Sequence, residues 1–262
     1  ALPIAAILIG GLLFGAGMVL TRGCISRLTV LTASGNLRAL TVMLVFAITA
    51  HATLKGVLAP LRTTLGSYTL DLGEITGFGN LPGGGLLWTF AFATLALIAA
   101  ARSGNRPLML AQAATLGLLI PLGWVGTGML LLDDFDPIAM ESLAFTSSMA
   151  DSLFFVIAST AIPANFGTGL VAGVLIGALS SALASRRFTL ASFTSPRETL
   201  RYVAGAMLMG TGGVLAGGCT VGAGLSGTAS LSFAGFLALG AIAAGAFTTN
   251  AMLSPSRNLT AA

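Results

Sequence analysis

The chain has 262 residues, of which 55% are hydrophobic and 8% charged, with a mean hydropathy of +0.96. Soluble domains carry about 25% charged residues, so this composition excludes a soluble globular fold and describes a membrane protein. The net charge of +4 is no sign of nucleic-acid binding, because the basic residues fall mainly in short connections, as topology signals do.

The first apolar run, 3–20, has no basic flank before it and does not read as a signal peptide. The chain starts at Ala1 without a methionine, so its natural start is expected upstream. The run carries a ladder of small residues and ends in GLLFGAGMVLTRGCISR, which holds one of the chain's two cysteines, Cys24. Segment 22–35 is too short and polar for a crossing. A second crossing is expected at 37–55, with His51 and Lys55 near its end; His51 reads as an interfacial residue rather than a proton relay. Gly83–Gly85 in NLPGGGLLW forms a loop before a helix and lacks the Lys and Ser/Thr of a phosphate-binding loop.

Crossings follow at 86–101 and 107–124, joined by a turn with Arg102 and Arg106. After the acidic stretch LLLDDFDPIAMES comes SLAFTSSMADSLFFVIASTAI, 142–162, which is polar and short. Asp151 within it reads as a satisfied polar residue, and Thr146, Ser147 and Ser148 offer hydroxyl donors. Three more crossings are expected at 166–185, 199–216 and 232–250. Between the last two lies a Gly-rich stretch, 218–230, that begins at Cys219. Seven crossings make an all-α polytopic bundle, each run able to cross or nearly cross a hydrocarbon core about 30 Å thick.

Arginines orient the bundle. Arg22, Arg27, Arg38, Arg102, Arg106, Arg186, Arg187, Arg197 and Arg201 fall on one side if 142–162 turns back within the membrane instead of crossing it. The positive-inside rule makes that side cytoplasmic. Residue 1 and the acidic stretch are then expected outside, and the C-terminus with Arg257 inside.

The two cysteines sit in a repeat. At an offset of 195, Gly10, Leu13, Gly15, Gly17, Val19, Leu20, Gly23 and Cys24 fall on Gly205, Leu208, Gly210, Gly212, Val214, Leu215, Gly218 and Cys219, eight identities in fifteen positions. With the arginine topology, the first copy runs inward and the second outward. This inverted repeat is an architecture in which transporters place their sites near the midplane. Residues 1–106 form the first, partial repeat and 107–262 the second, within one integral membrane domain.

A lone buried cysteine is ordinarily a small apolar filler. Here both occupy equivalent points beside a glycine break, where a short re-entrant helix would begin with free N–H groups aimed at the centre. Such helix starts attract anions. Gly23 and Gly218 are expected to lie where a larger side chain would strike neighbouring backbone. Two thiols without nearby His or carboxylate underfill a zinc site, so neither a metal nor a cofactor is expected. The candidate pathway is Cys24 and Cys219 with Gly23, Gly218, Thr220, Arg27, Thr146 and Ser147.

LAGGCTVGAGLSGTASLSFAGFLAL resembles the C-terminal cysteine motif of the YeeE/YedE family of bacterial inner-membrane sulfur transporters. LFGAGMVLTRGCISRL followed by GNLRAL is similar to the family's central cysteine motif, and IPLGWVGTG…DPIAMESLAFTSSMADSL to its middle region. The resemblance covers nearly the whole chain. It implies uptake of thiosulfate or a related sulfur anion, passed by transient hydrogen bonds along cysteines, with Cys24 in the central role and Cys219 in the C-terminal one. The family has a further cysteine in a re-entrant segment upstream, with two more crossings, making nine. The resemblance therefore implies an upstream segment, a divergent branch or a separate half-subunit. Expected partners are the anion, membrane lipid, and a cytoplasmic sulfur-carrier protein or that half-subunit. Arg22 and Arg27 depart from the family's plainer small-residue context.

Two other readings stand beside transport. One is a membrane thiol redox or sulfur-transfer enzyme with Cys24 as nucleophile, its thiolate favoured by Arg22, Arg27 or a helix start. The other is a structural half-subunit that works only with a partner chain.

Overall fold

The computed structural model describes residues 2–71, 77–130, 140–161 and 163–253. Most of the acidic stretch, with Asp133, Asp134 and Asp136, and the C-terminal Arg257 lie outside the described residues. The described residues are almost entirely helical, and seven helices are long and apolar enough to cross a membrane. They are α1 (Ile4–Thr21), α3 (Leu37–Lys55), α5 (Gly84–Arg102), α6 (Pro107–Val125), α8 (Phe166–Ala184), α9 (Pro196–Leu215) and α11 (Phe233–Leu253). These are the seven expected runs, each with its ends shifted by no more than a few residues. The short helices are α2 (Ile25–Ala33), α4 (Ala59–Gly66), α7 (Thr146–Ile157) and α10 (Gly227–Ala229), the last preceded by a π-helical segment, Thr220–Ser226. At 1.5 Å per residue, α7 is about 18 Å long and falls short of a core about 30 Å thick.

Local chemistry explains several helix starts. Asn36 accepts hydrogen bonds from the Arg38 and Ala39 N–H groups at 3.0 and 3.3 Å and so begins α3. Asn165 and Thr168 form a reciprocal capping box at the start of α8. Ser195 caps α9, with Pro196 at its first helical position, where the missing N–H costs nothing.

The bundle is organised around the crossing of α1 and α9, which run antiparallel in close contact. A Cβ at Gly17 would lie 2.5 Å from the Gly205 carbonyl oxygen, and one at Gly212 would lie 2.6 Å from the Gly10 carbonyl oxygen. The two contacts are reciprocal, since Gly212 and Gly205 are the counterparts of Gly17 and Gly10 at the offset of 195. Each helix also has a second neighbour. Gly15 abuts Ile242 and Ala246 of α11, and its counterpart Gly210 abuts Phe46 and Ala50 of α3. Around this framework Phe14, Ile25, Phe46, Met209 and Ile242 are almost wholly buried.

Between the cysteines and the helices that follow them, the offset changes from 195 to 196: α3 begins at Leu37 and α11 at Phe233. The π-helical segment Thr220–Ser226 lies within that interval, where the first copy has the regular helix α2. A π turn is how a helix takes up one extra residue.

Basic side chains brace one end of the bundle. Arg201 Nε and Nη2 donate to the Leu20 and Val19 carbonyls at 3.0 and 3.3 Å, serving the C-terminal carbonyls of α1. Arg38 forms an ion pair with Glu198 at 2.7 Å and donates to the Ser192 carbonyl at 2.6 Å. The connection before α9 is pinned to the start of α3 by the Leu37 N–H, which donates to the Ala191 carbonyl at 2.8 Å.

If close backbone approach sets the α1–α9 crossing, Gly212→Ala should destabilise the protein by about 1–3 kcal/mol, the usual cost of overpacking. Gly177→Ala on α8, where a Cβ meets nothing within 4 Å, should be neutral or slightly stabilising. Thermal unfolding of the two purified variants in detergent compares them; equal melting temperatures would remove the crossing's claim to govern stability.

Candidate functional site

Helices α1 and α9 stop in the same way. Arg22 (φ 61°) and its counterpart Gly217 (φ 76°) adopt the left-handed conformation just past the helix end. The Gly23 N–H then reaches back to the Met18 carbonyl at 2.9 Å, and the Gly218 N–H to the Gly213 carbonyl at 2.8 Å. This six-to-one bond closes the helix end and turns the chain. Glycine takes that conformation freely, whereas Arg22 holds it against a side-chain penalty.

After each turn a helix begins on the cysteine itself. Cys24 is the N-cap of α2, and Cys219 is the N-cap of the π-helical segment. Cys24 Sγ and Thr220 Oγ1 are hydrogen-bonded at 2.7 Å, either atom being able to donate. Because Thr220 follows Cys219 directly, this bond ties the two motifs together. The Cys219 thiol has no solvent exposure and accepts from the Gly222 N–H at 3.4 Å. The segment that leads into α7 packs against this start: a Cβ at Gly222 would lie 3.3 Å from the Ala144 side chain. Phe145 is the N-cap of α7, so a third helix start meets the two built on the cysteines. Both cysteines are free thiols.

Beside this junction lies a cavity of about 150 Å³ lined by Leu54, Ala144, Thr146, Ser147, Gly213, Val214, Gly217 and Gly218. Two hydroxyl residues expected from the sequence, Thr146 and Ser147, and the expected Gly218 thus share one space. Arg27 is exposed and lines a different cavity of about 400 Å³, mainly apolar, between α2, α6, α8 and the π-helical segment. Asp151 is satisfied as expected, accepting from Asn165 Nδ2 at 3.3 Å. His51, near the end of α3, is half-buried: its ring stacks on Phe154 of α7 with centroids 3.7 Å apart, and its Nδ1 is buried without a hydrogen-bond partner. Among the described residues, no three of His, Cys, Asp and Glu are grouped to hold a metal ion.

The expected crowding at the two glycines divides. A Cβ at Gly218 would lie 2.7 Å from the Ala223 N atom, a true backbone clash. At Gly23 the nearest atoms are side-chain carbons of Arg27 and Leu28 at 3.5 and 3.7 Å, ordinary contact distances, so the expectation fails there. The backbone differs at the two positions, Gly218 taking a φ of 156° and Gly23 no positive φ. Sequence reasoning also missed Phe145, Leu54 and Gly213. Phe145 is buried in the same core as Cys219, a placement that no local pattern could announce.

The chain matches the family described as Sulphur transport over residues 1–248. It is 27% identical over 263 residues to the thiosulfate transporter TsuA of Escherichia coli (strain K12), covering 91% of this chain and 72% of that protein. It is 25% identical over 261 residues to the thiosulfate transporter TsuA of Spirochaeta thermophila (strain ATCC 700085 / DSM 6578 / Z-1203), covering 88% of this chain and 72% of that one.

Gly218→Ala should therefore cost about 1–3 kcal/mol through the clash with Ala223, while Gly23→Ala should change stability by less than about 1 kcal/mol. Thermal melts of the purified variants provide the comparison, and equal losses at both positions would contradict the asymmetry.

Proposed function

The chain belongs to the sulphur transport family, and we propose that it carries a small sulfur anion, thiosulfate, across a bacterial inner membrane. The path runs past Cys24 and Cys219. The observation that carries this reading is the junction itself: two thiols and the Thr220 hydroxyl, bonded across the repeat, at three converging helix starts. Helix starts favour anions through their free N–H groups and dipoles. Thiols and hydroxyls are weak, small donors that replace part of the ion's hydration shell without a full positive charge to trap it. The polarizable thiols suit the terminal sulfur of thiosulfate.

An inverted repeat accounts for the reciprocal glycine contacts and the matched helix ends. Residues 1–106 and 107–262 are its two halves, interlocked within one membrane domain, and α2, α7 and the π-helical segment are re-entrant pieces inside it. Such pieces are tolerated in lipid only where protein surrounds them. The arginine-braced end, with Arg22, Arg38, Arg197 and Arg201, is cytoplasmic by the positive-inside rule, which leaves the end bearing Lys55 and Arg62 outside. Arg27 stands at the flank of the path rather than in it.

Relay and nucleophile separate by substitution. In a relay, Cys24→Ser keeps a small donor and should retain part of the uptake, whereas Cys24→Ala should lose about tenfold or more. Cys219 should follow the same order. An enzyme using Cys24 as nucleophile would lose turnover with either change, because serine without a positioned base attacks poorly. The measurement is labelled thiosulfate uptake by each single variant, corrected for membrane abundance. Full uptake by both alanine variants would reduce the thiols to packing atoms.

A further inference from the structure

Membrane helices usually satisfy a threonine hydroxyl by donating it back to a carbonyl one turn earlier, and the buried threonines of this chain do so. Thr21, Thr29, Thr49, Thr53 and Thr127 donate to the carbonyls of Gly17, Ile25, Val45, Thr49 and Gly123, at 2.7 to 2.9 Å, and Thr168 donates to the Asn165 carbonyl at 2.7 Å. Thr146 is different. It is 5% exposed, and its Oγ1 is buried without a hydrogen-bond partner. The cause is positional: Thr146 is the first residue of α7, so no helical turn precedes it to supply a carbonyl. A buried hydroxyl without a partner is destabilising, and such a group calls for an explanation.

The hydroxyl lines the cavity of about 150 Å³ together with Ser147, and Gly213, Gly217 and Gly218 leave the facing wall open. A Cβ on Gly213 would approach to 3.1 Å from Thr146 Oγ1, so that bare glycine keeps space beside the donor. The cavity also lies at the N-terminus of a 12-residue helix, whose free N–H groups favour negative charge.

We propose that this cavity is an oxyanion subsite, in which Thr146 Oγ1 donates to an oxygen of the transported ion, while the thiols, which do not line the cavity, are left to serve its terminal sulfur elsewhere on the path. The inference rests on the transport reading and adds to it a division of labour between the two ends of the ion. Hydroxyl and N–H donors read S–O oxygens; Cys24 and Cys219 read the soft sulfur. An ion without oxygens, such as hydrosulfide, gains nothing from Thr146, and an ion without the terminal sulfur, such as sulfate, gains nothing from the thiols.

The test uses the full chain purified and reconstituted in liposomes, with Thr146→Val and Thr146→Ser compared with the unaltered protein. Valine matches threonine in shape and removes the donor; serine keeps it. Thr146→Val should raise the KM for thiosulfate about tenfold or more, and Thr146→Ser should stay within about threefold. Thr146→Val should also remove the thermal stabilisation produced by sulfate, while leaving competition by hydrosulfide unchanged. Unchanged KM and unchanged sulfate stabilisation in Thr146→Val would overturn the subsite, as would equal losses in the valine and serine variants. If both Thr146→Val and Thr146→Ala fail to accumulate while Thr146→Ser accumulates, the hydroxyl serves folding, and the proposal is overturned. If the unaltered protein moves no thiosulfate yet is stabilised by sulfate in a Thr146-dependent way, the transport reading fails and the subsite stands.

Discussion

Everything in this molecule depends on two helix backbones lying in contact. Lipid tails are as apolar as leucine, so a membrane helix gains little by hiding apolar side chains from them, and association rests on packing. Glycines supply that packing where α1 and α9 cross: Gly17 meets Gly205, and Gly212 meets Gly10. The same ladders serve a second neighbour on each helix, α11 for α1 and α3 for α9. Four helices are thereby locked with few side chains between them. The bulk that remains, Phe14, Phe46, Met209 and Ile242, fills the flanks of the crossing.

That crossing also sets where the thiols sit. Because α1 and α9 are antiparallel and each ends in a left-handed turn, the segments that follow are turned back from opposite ends of the pair. They meet at the Cys24–Thr220 bond. A backbone turned inward carries N–H groups without intrahelical partners, and hydrocarbon would not tolerate them exposed. Here the Cys219 sulfur, itself fully buried, accepts from one of them, the Gly222 N–H. Polarity at the junction comes from a thiol, a hydroxyl and helix ends. Arg38, Glu198 and Arg201 are engaged in holding one end of the bundle together.

The two cysteine motifs differ around a common sequence pattern. Arg22 takes the left-handed position that Gly217 takes in the second copy. One extra residue after Cys219 is absorbed as a π-helical segment, whereas α2 stays regular. Gly218 is crowded against Ala223 and has a φ of 156°, whereas Gly23 has ordinary contacts and no positive φ. Equivalent positions in the two motifs thus differ in backbone as well as in surroundings.

Much of this was written in local pattern. Apolar run length sets the seven crossings, because a helix must span the hydrocarbon core whatever it packs against. The glycine ladders and their cysteines announced the repeat, and the caps Asn36, Asn165 and Ser195 mark helix starts through bonds to their own next few residues. What lay beyond the sequence were properties of pairs distant in the chain: the Cys24–Thr220 bond across 196 residues, the Ser226 hydroxyl donated to the Leu143 carbonyl, and the cavity that brings Leu54 and Gly213 to Thr146. A local pattern reports how one segment meets the membrane. Only the packed bundle decides which hydroxyl faces which thiol, because that depends on the angle and depth at which separate helices cross.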